Sequence, residues 1–282
     1  MFVAKISLGI IAIISLLFLI AIVAMLLDNA MPFFKNYSLS EFFLNGKWHP
    51  ASEPPIFGIL ALLWGSFIVT FIAMFVALPV GIASALYLNG IAPVKLREVL
   101  KPIIEILGSV PSVIYGLFGL VILAPFAQRF LHLPVGQCAA VAGVVLGIMV
   151  IPTIVSVFED SLSAVPKSLW EAGYSLGSTK WETLVKIVLP AAKSGLMVAV
   201  LLAFGRAIGE TMTVLMVAGG AAQIKLSPFV PVRPMTATIA AEMGETPQGS
   251  MHFHSLFAVG TILLIITFVT NLIASRYAER RS

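Results

Sequence analysis

Long apolar segments alternate with short polar ones along most of the chain. Residues 6–27 are almost entirely apolar, and residues 57–88 carry no charge over 32 positions. About 20 apolar residues suffice for a helix to cross the hydrocarbon core of a bilayer, whereas the apolar region of a signal peptide has about 7 to 15. Residues 6–27 therefore predict a retained transmembrane helix. Residues 57–88 predict a second helix that tilts, overshoots the bilayer or breaks near Pro79.

Further apolar segments predict four more transmembrane helices, within residues 105–129, 135–158, 194–223 and 255–274. Pro111 in the first of these frees a backbone carbonyl inside the membrane, which favours a bend near a helix interface. The loop from 28 to 55 is rich in aromatic residues, which we expect at the level of the lipid headgroups. The expected fold is all-α, an integral membrane protein with six transmembrane helices.

Composition and charge agree with this interpretation. Of the 282 residues, 59% are hydrophobic and 11% charged, and the mean hydropathy is +1.04. With six spans, the two termini and the loops 89–105 and 159–193 share one side and carry 11 Lys or Arg residues, whereas the loops on the other side carry five. The positive-inside rule then predicts that both termini and the 159–193 loop are cytoplasmic. This distribution explains the net charge of +4 better than nucleic-acid binding does.

The polar loop 159–193 predicts two short helices joined by a turn. Pro166 suits the first turn of a helix, and Gly177 can end that helix in a left-handed conformation. Thr179 and Glu182 have the spacing of a capping box, which begins a second helix that Pro190 ends or kinks. The first helix presents one apolar, small-residue face made of Leu169, Ala172, Gly173 and Leu176. This face suits a partner's groove; the alternative is an interfacial loop without a partner.

The fifth predicted span carries two charged residues, Arg206 and Glu210. Twelve residues of helix place Arg206 roughly 18 Å from the start of the span, near the middle of the bilayer. A charged residue there costs about 2.5 to 3.5 kcal/mol. Because the two residues are four apart, we expect them on one helix face, where each partly neutralises the other. They form a buried ion pair that fixes helix packing, line a pathway for an anion, or do both.

The last loop on the other side predicts a short helix over residues 234–243, with Met235, Ile239 and Met243 on one face. This helix plugs a gate, receives an external protein or simply lies at the interface. Arg233 meets an anion or an acidic partner, or is merely solvated. His252 and His254 are too few for a metal site.

Several enzyme motifs are absent from the sequence. It contains no G-x-x-x-x-G-K-[ST] phosphate loop, no G-x-S-x-G and no H-E-x-x-H. Hydrolysis of ATP by a phosphate loop is therefore excluded, and we expect no catalytic residue, no metal and no cofactor bound by this chain. Cys138, the only cysteine, is expected to be a small packed residue.

The loop 159–193 also resembles a known signature. The signature-matching positions are Glu171, Ala172, Gly173, Gly177, Ile187, Leu189 and Pro190. Their spacing is similar to the EAA motif of ABC-importer permeases, in which this loop docks into a cytoplasmic ATPase. Gly173 stands where the family usually has a second alanine, and glycine inside a helix costs about 1 kcal/mol relative to alanine.

Three further segments, residues 111–116, 205–211 and 236–244, resemble the C-type permeases of bacterial high-affinity phosphate ABC transporters. The resemblance implies a type I importer fold over residues 57–276, an extra N-terminal helix and external loop over 1–56, and a cytoplasmic tail over 277–282. It implies that phosphate is the substrate and that the translocation pathway includes Arg206, Glu210, Thr211, Ser112 and Tyr115.

The same resemblance implies a location and a set of partners. The location is the bacterial plasma (inner) membrane. The partners are a second, similar permease in a heterodimer, two copies of an ATPase that holds ATP and Mg, and an extracytoplasmic phosphate-binding protein. Two alternatives stay open: a permease for another oxyanion such as sulfate or molybdate, and a self-sufficient secondary transporter, although no convincing internal repeat is visible.

Overall fold

The structure, a computed structural model, describes residues 2–279. Arg280 and Arg281 of the expected tail lie outside them. Within the described residues the regular secondary structure is helical, as expected, apart from two short strands. The helices are α1 Phe2–Asn36, α2 Leu39–Leu44, α3 Leu60–Leu86, α4 Val94–Ser109, α5 Ser112–Phe118, α6 Ala124–Phe130, α7 Ala139–Ser163, α8 Lys167–Ser175, α9 Lys180–Thr183, α10 Leu189–Ala191, α11 Lys193–Ile208, α12 Met212–Val217, α13 Met235–Glu242 and α14 Met251–Glu279. The π-helical segments are Tyr87–Ile91, Gly119–Leu123 and Leu184–Val188. The strands, β1 Trp48–His49 and β2 Ile56–Phe57, pair antiparallel.

Within residues 2–279, five helices are long and apolar enough to cross a membrane. They are Ser7–Asn36, Leu60–Ile91, Ser112–Phe130, Ala139–Ser163 and Met251–Ile273. A sixth span is present if Lys180–Ala191 and Lys193–Ile208, which meet at 70°, form one bent unit. The expected six spans are therefore the upper count.

The second span does not break at Pro79, which lies inside α3. The helix instead runs on through a π-helical turn for 32 residues. The third span starts at Ser112 and not near Glu105, because α4 ends at Ser109 and the backbone is extended at Val110 and Pro111. The bend expected at Pro111 is thus a full interruption of the helix.

The first helix continues to Asn36, so the prediction of a loop starting at residue 28 is wrong. The prediction that the loop aromatics lie at the headgroups is also wrong for Phe33, Phe42 and Trp48. Together with Phe57, which follows the loop, they form a buried aromatic cluster in which each residue is at most 2% exposed. Their rings meet mostly edge to face, with centroids 5.1 to 5.8 Å apart. Burial of these rings against one another outweighs their preference for the interface.

The main core lies between α3 and α7. Gly143 and Gly147, one turn apart on α7, let the two backbones approach closely. A Cβ at Gly143 would lie 3.1 Å from the carbonyl oxygen of Val69, and one at Gly147 would lie 2.9 Å from that of Ala73. Small residues at such a crossing are typical of helix packing in membranes. Cys138 is buried in this core, as expected.

Candidate functional site

The fifth predicted span is interrupted in its middle. Helix α11 ends at Ile208 and α12 begins at Met212. Arg206 therefore lies in the last turn of α11, while Glu210 lies in the non-helical segment. The prediction of one helix over 194–223, with Arg206 and Glu210 on a shared face, is wrong. Gly209 at the end of α11 weakens the helix at the point where the chain leaves it.

The interruption at residues 209–211 lies beside the one at residues 110–111, and together we call them the double break. Thr213 Oγ1 donates to the carbonyl oxygen of Ser112 at 3.0 Å. Gly116 allows the contact, because a Cβ there would lie 3.2 Å from the Cα of Thr213. Two helix starts, those of α5 and α12, thus meet at one place, where unwound backbone can face a substrate.

Arg206 joins three helices at the double break. Its Nη1 donates to Thr153 Oγ1 of α7 at 2.8 Å. Its Nη2 donates to the carbonyl oxygen of Gly108, in the last turn of α4, at 3.1 Å. Both acceptors are neutral, and Arg206 makes no ion pair with any residue in 2–279. A guanidinium has five N–H donors, so its charge and part of its hydrogen-bonding capacity remain for a ligand.

Glu210 is tied to the following loop and not to Arg206. Its carbonyl oxygen accepts from Thr236 Oγ1 at 2.6 Å, and its Oε1 accepts weakly from the backbone N–H of Thr213 at 3.4 Å. Thr236 lies in the first turn of α13. The contact therefore brings residues 236–244, one of the three segments that resemble phosphate permeases, to the double break. Thr211 Oγ1 bonds only to the nearby carbonyl of Gly209, at 3.4 Å.

The two remaining pathway candidates lie on α5. The hydroxyl of Tyr115 donates to the carbonyl oxygen of Leu107 at 2.9 Å and so spans the interruption between α4 and α5. Ser112 is half-buried and contributes its carbonyl to Thr213. Arg206, Glu210 and Ser112 thus all lie at the double break, connected by contacts with Gly108 and Thr213.

Sequence reasoning missed four residues of this site: Gly108, Thr153, Thr213 and Thr236. The available signal was a threonine or glycine within two residues of a proline or of a helix break. That signal does not say which distant residue each one will contact.

The loop 159–193 folds largely as expected. Helix α8 is followed by Gly177 with φ of +78°, and the N–H of Ser178 returns to the carbonyl of Gly173 at 3.1 Å. Thr179 and Glu182 form the predicted capping box at the start of α9. These bonds satisfy groups that helix ends would leave unpaired.

The structure gives Gly173 a packing role, beyond a loosened helix. It is buried, and a Cβ there would lie 2.7 Å from Thr183 Cγ2 and 3.0 Å from Ile187 Cδ1. The glycine therefore lets α8 lie directly against the second helical segment. The contact with Ile187 also gives a physical reason for the spacing between these two signature positions.

The face predicted on α8 is divided in two. Leu169 packs against the protein's own core, and Gly173 is buried. Ala172 is exposed and Leu176 is 84% exposed. Trp181 on α9 adds a large exposed side chain, at 54%. The surface left for a partner is therefore Ala172, Leu176 and Trp181 rather than the predicted face.

Glu242, at the end of α13, is the centre of a polar group of residues, the Glu242 cluster. The carboxylate of Glu242 accepts from Arg233 Nη1 at 2.5 Å and from Trp48 Nε1 at 3.0 Å, and it lies 2.8 Å from His252 Nε2. Arg233 is thus paired within the chain, so the prediction that it is merely solvated is wrong. Helix α13 forms as expected, but its face of Met235, Ile239 and Met243 packs on the aromatic cluster and is not open to a partner.

The family model of binding-protein-dependent transport system inner membrane components matches residues 77–282. The probable ABC transporter permease protein YqgH of Bacillus subtilis is 39% identical over 241 residues, which are 86% of this chain and 78% of that protein. The phosphate transport system permease protein PstC of Mesorhizobium japonicum is 37% identical over 260 residues, with the same two coverages of 86% and 78%.

Solved structures agree at the level of the fold. The chain resembles a bacterial ABC transporter involved in the import of the acidic polysaccharide alginate, with a TM-score of 0.65 and 14% identity over 94% of this chain and 92% of that one. It also resembles the inward-facing MetNI methionine ABC transporter, with a TM-score of 0.58 and 23% identity over 80% of this chain and 94% of that one. The fold is that of type I ABC-importer permeases. The chain belongs to the binding-protein-dependent transport system inner membrane component family, the multi-pass permease subunits of ABC transporters.

Proposed function

We propose that this chain is the permease subunit of an ATP-driven importer that carries inorganic phosphate across the bacterial inner membrane. The guanidinium of Arg206 carries the proposal. It lies at the double break and, within residues 2–279, it donates only to neutral acceptors. Arginine offers planar, paired donors that match the oxygens of phosphate. The names of several relatives, 31–37% identical over most of the chain, support the choice of phosphate.

The proposed pathway runs past the double break. Arg206, Glu210, Thr211, Ser112 and Tyr115 border it, and Arg206 stabilises the anion without trapping it. ATP binding and hydrolysis in a partner move the loop 159–193. That motion re-aims the third to fifth spans and opens the site alternately to the two sides of the membrane.

The proposal includes the partners and the topology. The partners are a second, similar permease, two copies of an ATPase that carries ATP and Mg, and an external phosphate-binding protein. Both termini and the loop 159–193 face the cytoplasm. The importer domain covers residues 57–276, preceded by the helix and external loop of 1–56 and followed by the tail of 277–282. The chain itself binds no cofactor.

The ATPase docks on the loop that holds Glu171, Ala172, Gly173, Gly177, Ile187, Leu189 and Pro190. In this loop Gly173 and Ile187 hold the two helical segments together, while Ala172 and Leu176 meet the partner. Exposed apolar side chains at a rigid turn are typical of a docking surface.

The test is uptake of labelled phosphate by the reconstituted complex. Arg206→Gln keeps hydrogen-bond donors but removes the charge, and uptake should fall by about 100-fold, as for the loss of one preorganised charged donor. Arg206→Lys keeps the charge and should transport at an intermediate rate. Normal uptake by the glutamine variant in an intact complex would remove Arg206 from the pathway. If sulfate or molybdate competed as well as unlabelled phosphate, the substrate would be oxyanions in general and not phosphate specifically.

A further inference from the structure

We propose that Glu159 is a positioning residue that fixes helix α4 and thereby places Arg206 for transport, an inference that rests on the proposed function. Glu159 lies in the last turns of α7 and is only 1% exposed. A buried carboxylate in an otherwise apolar helix is costly unless it is paired. Its partners come from α4, which lies 50 to 65 residues earlier in the chain.

Two cations of α4 hold this carboxylate. Arg97 pairs with Glu159 Oε1, and Lys101 Nζ donates to Oε2 at 2.6 Å. Lys101 also donates to Asp160 at 2.8 Å. The pKa of Lys101 is raised above its ordinary value, because its ammonium donates to Asp160 and to Glu159. Both oxygens of Glu159 are therefore engaged by charged donors from one neighbouring helix.

Neutral groups complete the Glu159 cluster. Ser163 Oγ donates to Glu159 Oε1 at 2.9 Å and lies 2.9 Å from Arg97 Nη2. Asn89, in the π-helical turn after α3, donates to Ser163 Oγ at 2.8 Å. The cluster thus ties the ends of α3 and α7 to the beginning of α4.

Helix α4 has little else to hold it. None of its residues is buried, so contacts at its edges determine where it lies. Arg97, Lys101 and Gly108 are four and seven residues apart and share one face of the helix. This face meets α7, since a Cβ at Gly108 would lie 3.2 Å from Cβ of Pro152.

The two helices are therefore joined antiparallel at two points. At one end Glu159 binds the cations of α4. At the other end the carbonyl of Gly108 accepts from Arg206, whose second bond goes to Thr153 of α7. An α4 released at the Glu159 end moves the carbonyl of Gly108, and Arg206 loses one of the two bonds that aim it. Glu159 also stands eight residues before α8, so motion of the loop 159–193 reaches this cluster directly.

Glu159→Gln removes the charge and keeps the shape, whereas Glu159→Asp keeps the charge. In the complete complex we expect the maximal phosphate uptake of Glu159→Gln to fall about tenfold, because misplacement by about 1 Å can cost up to about 100-fold. The half-saturating phosphate concentration should not change, since the external binding protein captures the anion before it reaches Arg206. Glu159→Asp should recover most of the uptake.

A matched control is Glu98→Gln, which neutralises an exposed carboxylate of α4 that makes no ion pair within residues 2–279. A second readout does not depend on the substrate. A nitroxide label at Ser109→Cys, in a Cys138→Ala background, reports the mobility of the end of α4. The label should become more mobile with Glu159→Gln and stay unchanged with Glu159→Asp or Glu98→Gln.

Unchanged uptake and unchanged label mobility in Glu159→Gln would overturn the proposal. A purely structural role would lower the yield of the complex in both Glu159 variants while uptake per complex stayed normal, which would also overturn it. A wild-type complex that moves no phosphate would end the proposed function. In that case the label alone decides whether Glu159 fixes α4.

Discussion

In the Glu242 cluster a carboxylate is surrounded by donors from its own chain, whereas at the double break the guanidinium of Arg206 faces only neutral acceptors. Glu242 is bound by Arg233, Trp48 and His252. One of these donors, Trp48, belongs to the buried aromatic cluster. Arg206 has two hydrogen bonds and no ion pair within residues 2–279. The charge of Glu242 is therefore paired within the chain, whereas that of Arg206 is not paired within residues 2–279.

The loop 159–193 extends the contrast to apolar surface. On the face of α13, Met235 is fully buried and Ile239 and Met243 are partly buried by the chain itself, whereas Leu176 and Trp181 are exposed. In the region of the Glu242 cluster and α13, charged and apolar groups therefore find their partners within the chain. The double break and the loop 159–193 leave a charge unpaired within residues 2–279 and apolar side chains exposed, and we propose that a ligand and a partner protein bind there.

The largest effect on stability is expected at the Glu242 cluster. Glu242→Gln removes the charge that pairs with Arg233 and should lower the free energy of unfolding by about 1.5 to 3 kcal/mol, the range for hydrogen bonds to charged groups. Thermal unfolding of the purified protein in detergent measures this. Uptake per folded molecule should stay near normal. A selective loss of uptake with unchanged stability would make Glu242 a functional residue and erase the contrast.

A smaller stability effect is expected at Gly173. Gly173→Ala introduces a Cβ 2.7 Å from Thr183 Cγ2. Overpacking of this kind costs about 1 to 3 kcal/mol, and we expect the lower part of this range because α8 can be displaced. Coupling of ATP hydrolysis to uptake should fall. The double variant Gly173→Ala/Thr183→Ala removes the obstruction and should restore coupling. If the single variant coupled normally, Gly173 would not set the position of α8.

The smallest stability effect is expected at Leu176, which is 84% exposed. Leu176→Ala should change the free energy of unfolding by no more than about 0.5 kcal/mol, as for other surface positions. It should nevertheless reduce the amount of ATPase that copurifies with the complex. Leu226, 86% exposed in a different loop, offers the matched control Leu226→Ala. Equal ATPase retention in both variants would refute docking at Leu176.

Local signals explain which parts of the fold the sequence predicts well. Gly177 and the capping box of Thr179 and Glu182 act within a few residues, so the turn and the two helices of the loop 159–193 could be placed in advance. The apolar segments likewise predicted where most spans lie, because hydropathy is a property of a single segment.

Tertiary contacts explain the failures. Periodicity placed Arg206 and Glu210 on one helix face, but Gly209 ends the helix between them and Thr236 binds the backbone of Glu210. The Glu159 cluster depends on the pairing of α4 with α7, which no local pattern reveals. For the same reason, Phe33, Phe42 and Trp48 of the 28–55 segment pack against one another and against Phe57 instead of lying at the lipid headgroups.

We propose that the charge of Arg206 is left uncompensated so that it can bind an anion, and substitutions at Thr153 can test this. Thr153→Asp places a carboxylate at the present acceptor of Arg206 and gives that arginine the kind of partner Arg233 already has. Thr153→Asn is the control, with nearly the same size and no charge. We predict that phosphate uptake by Thr153→Asp falls about 100-fold below that of Thr153→Asn, as for the loss of one preorganised charged donor. Equal uptake by the two variants would show that transport does not need an uncompensated charge on Arg206.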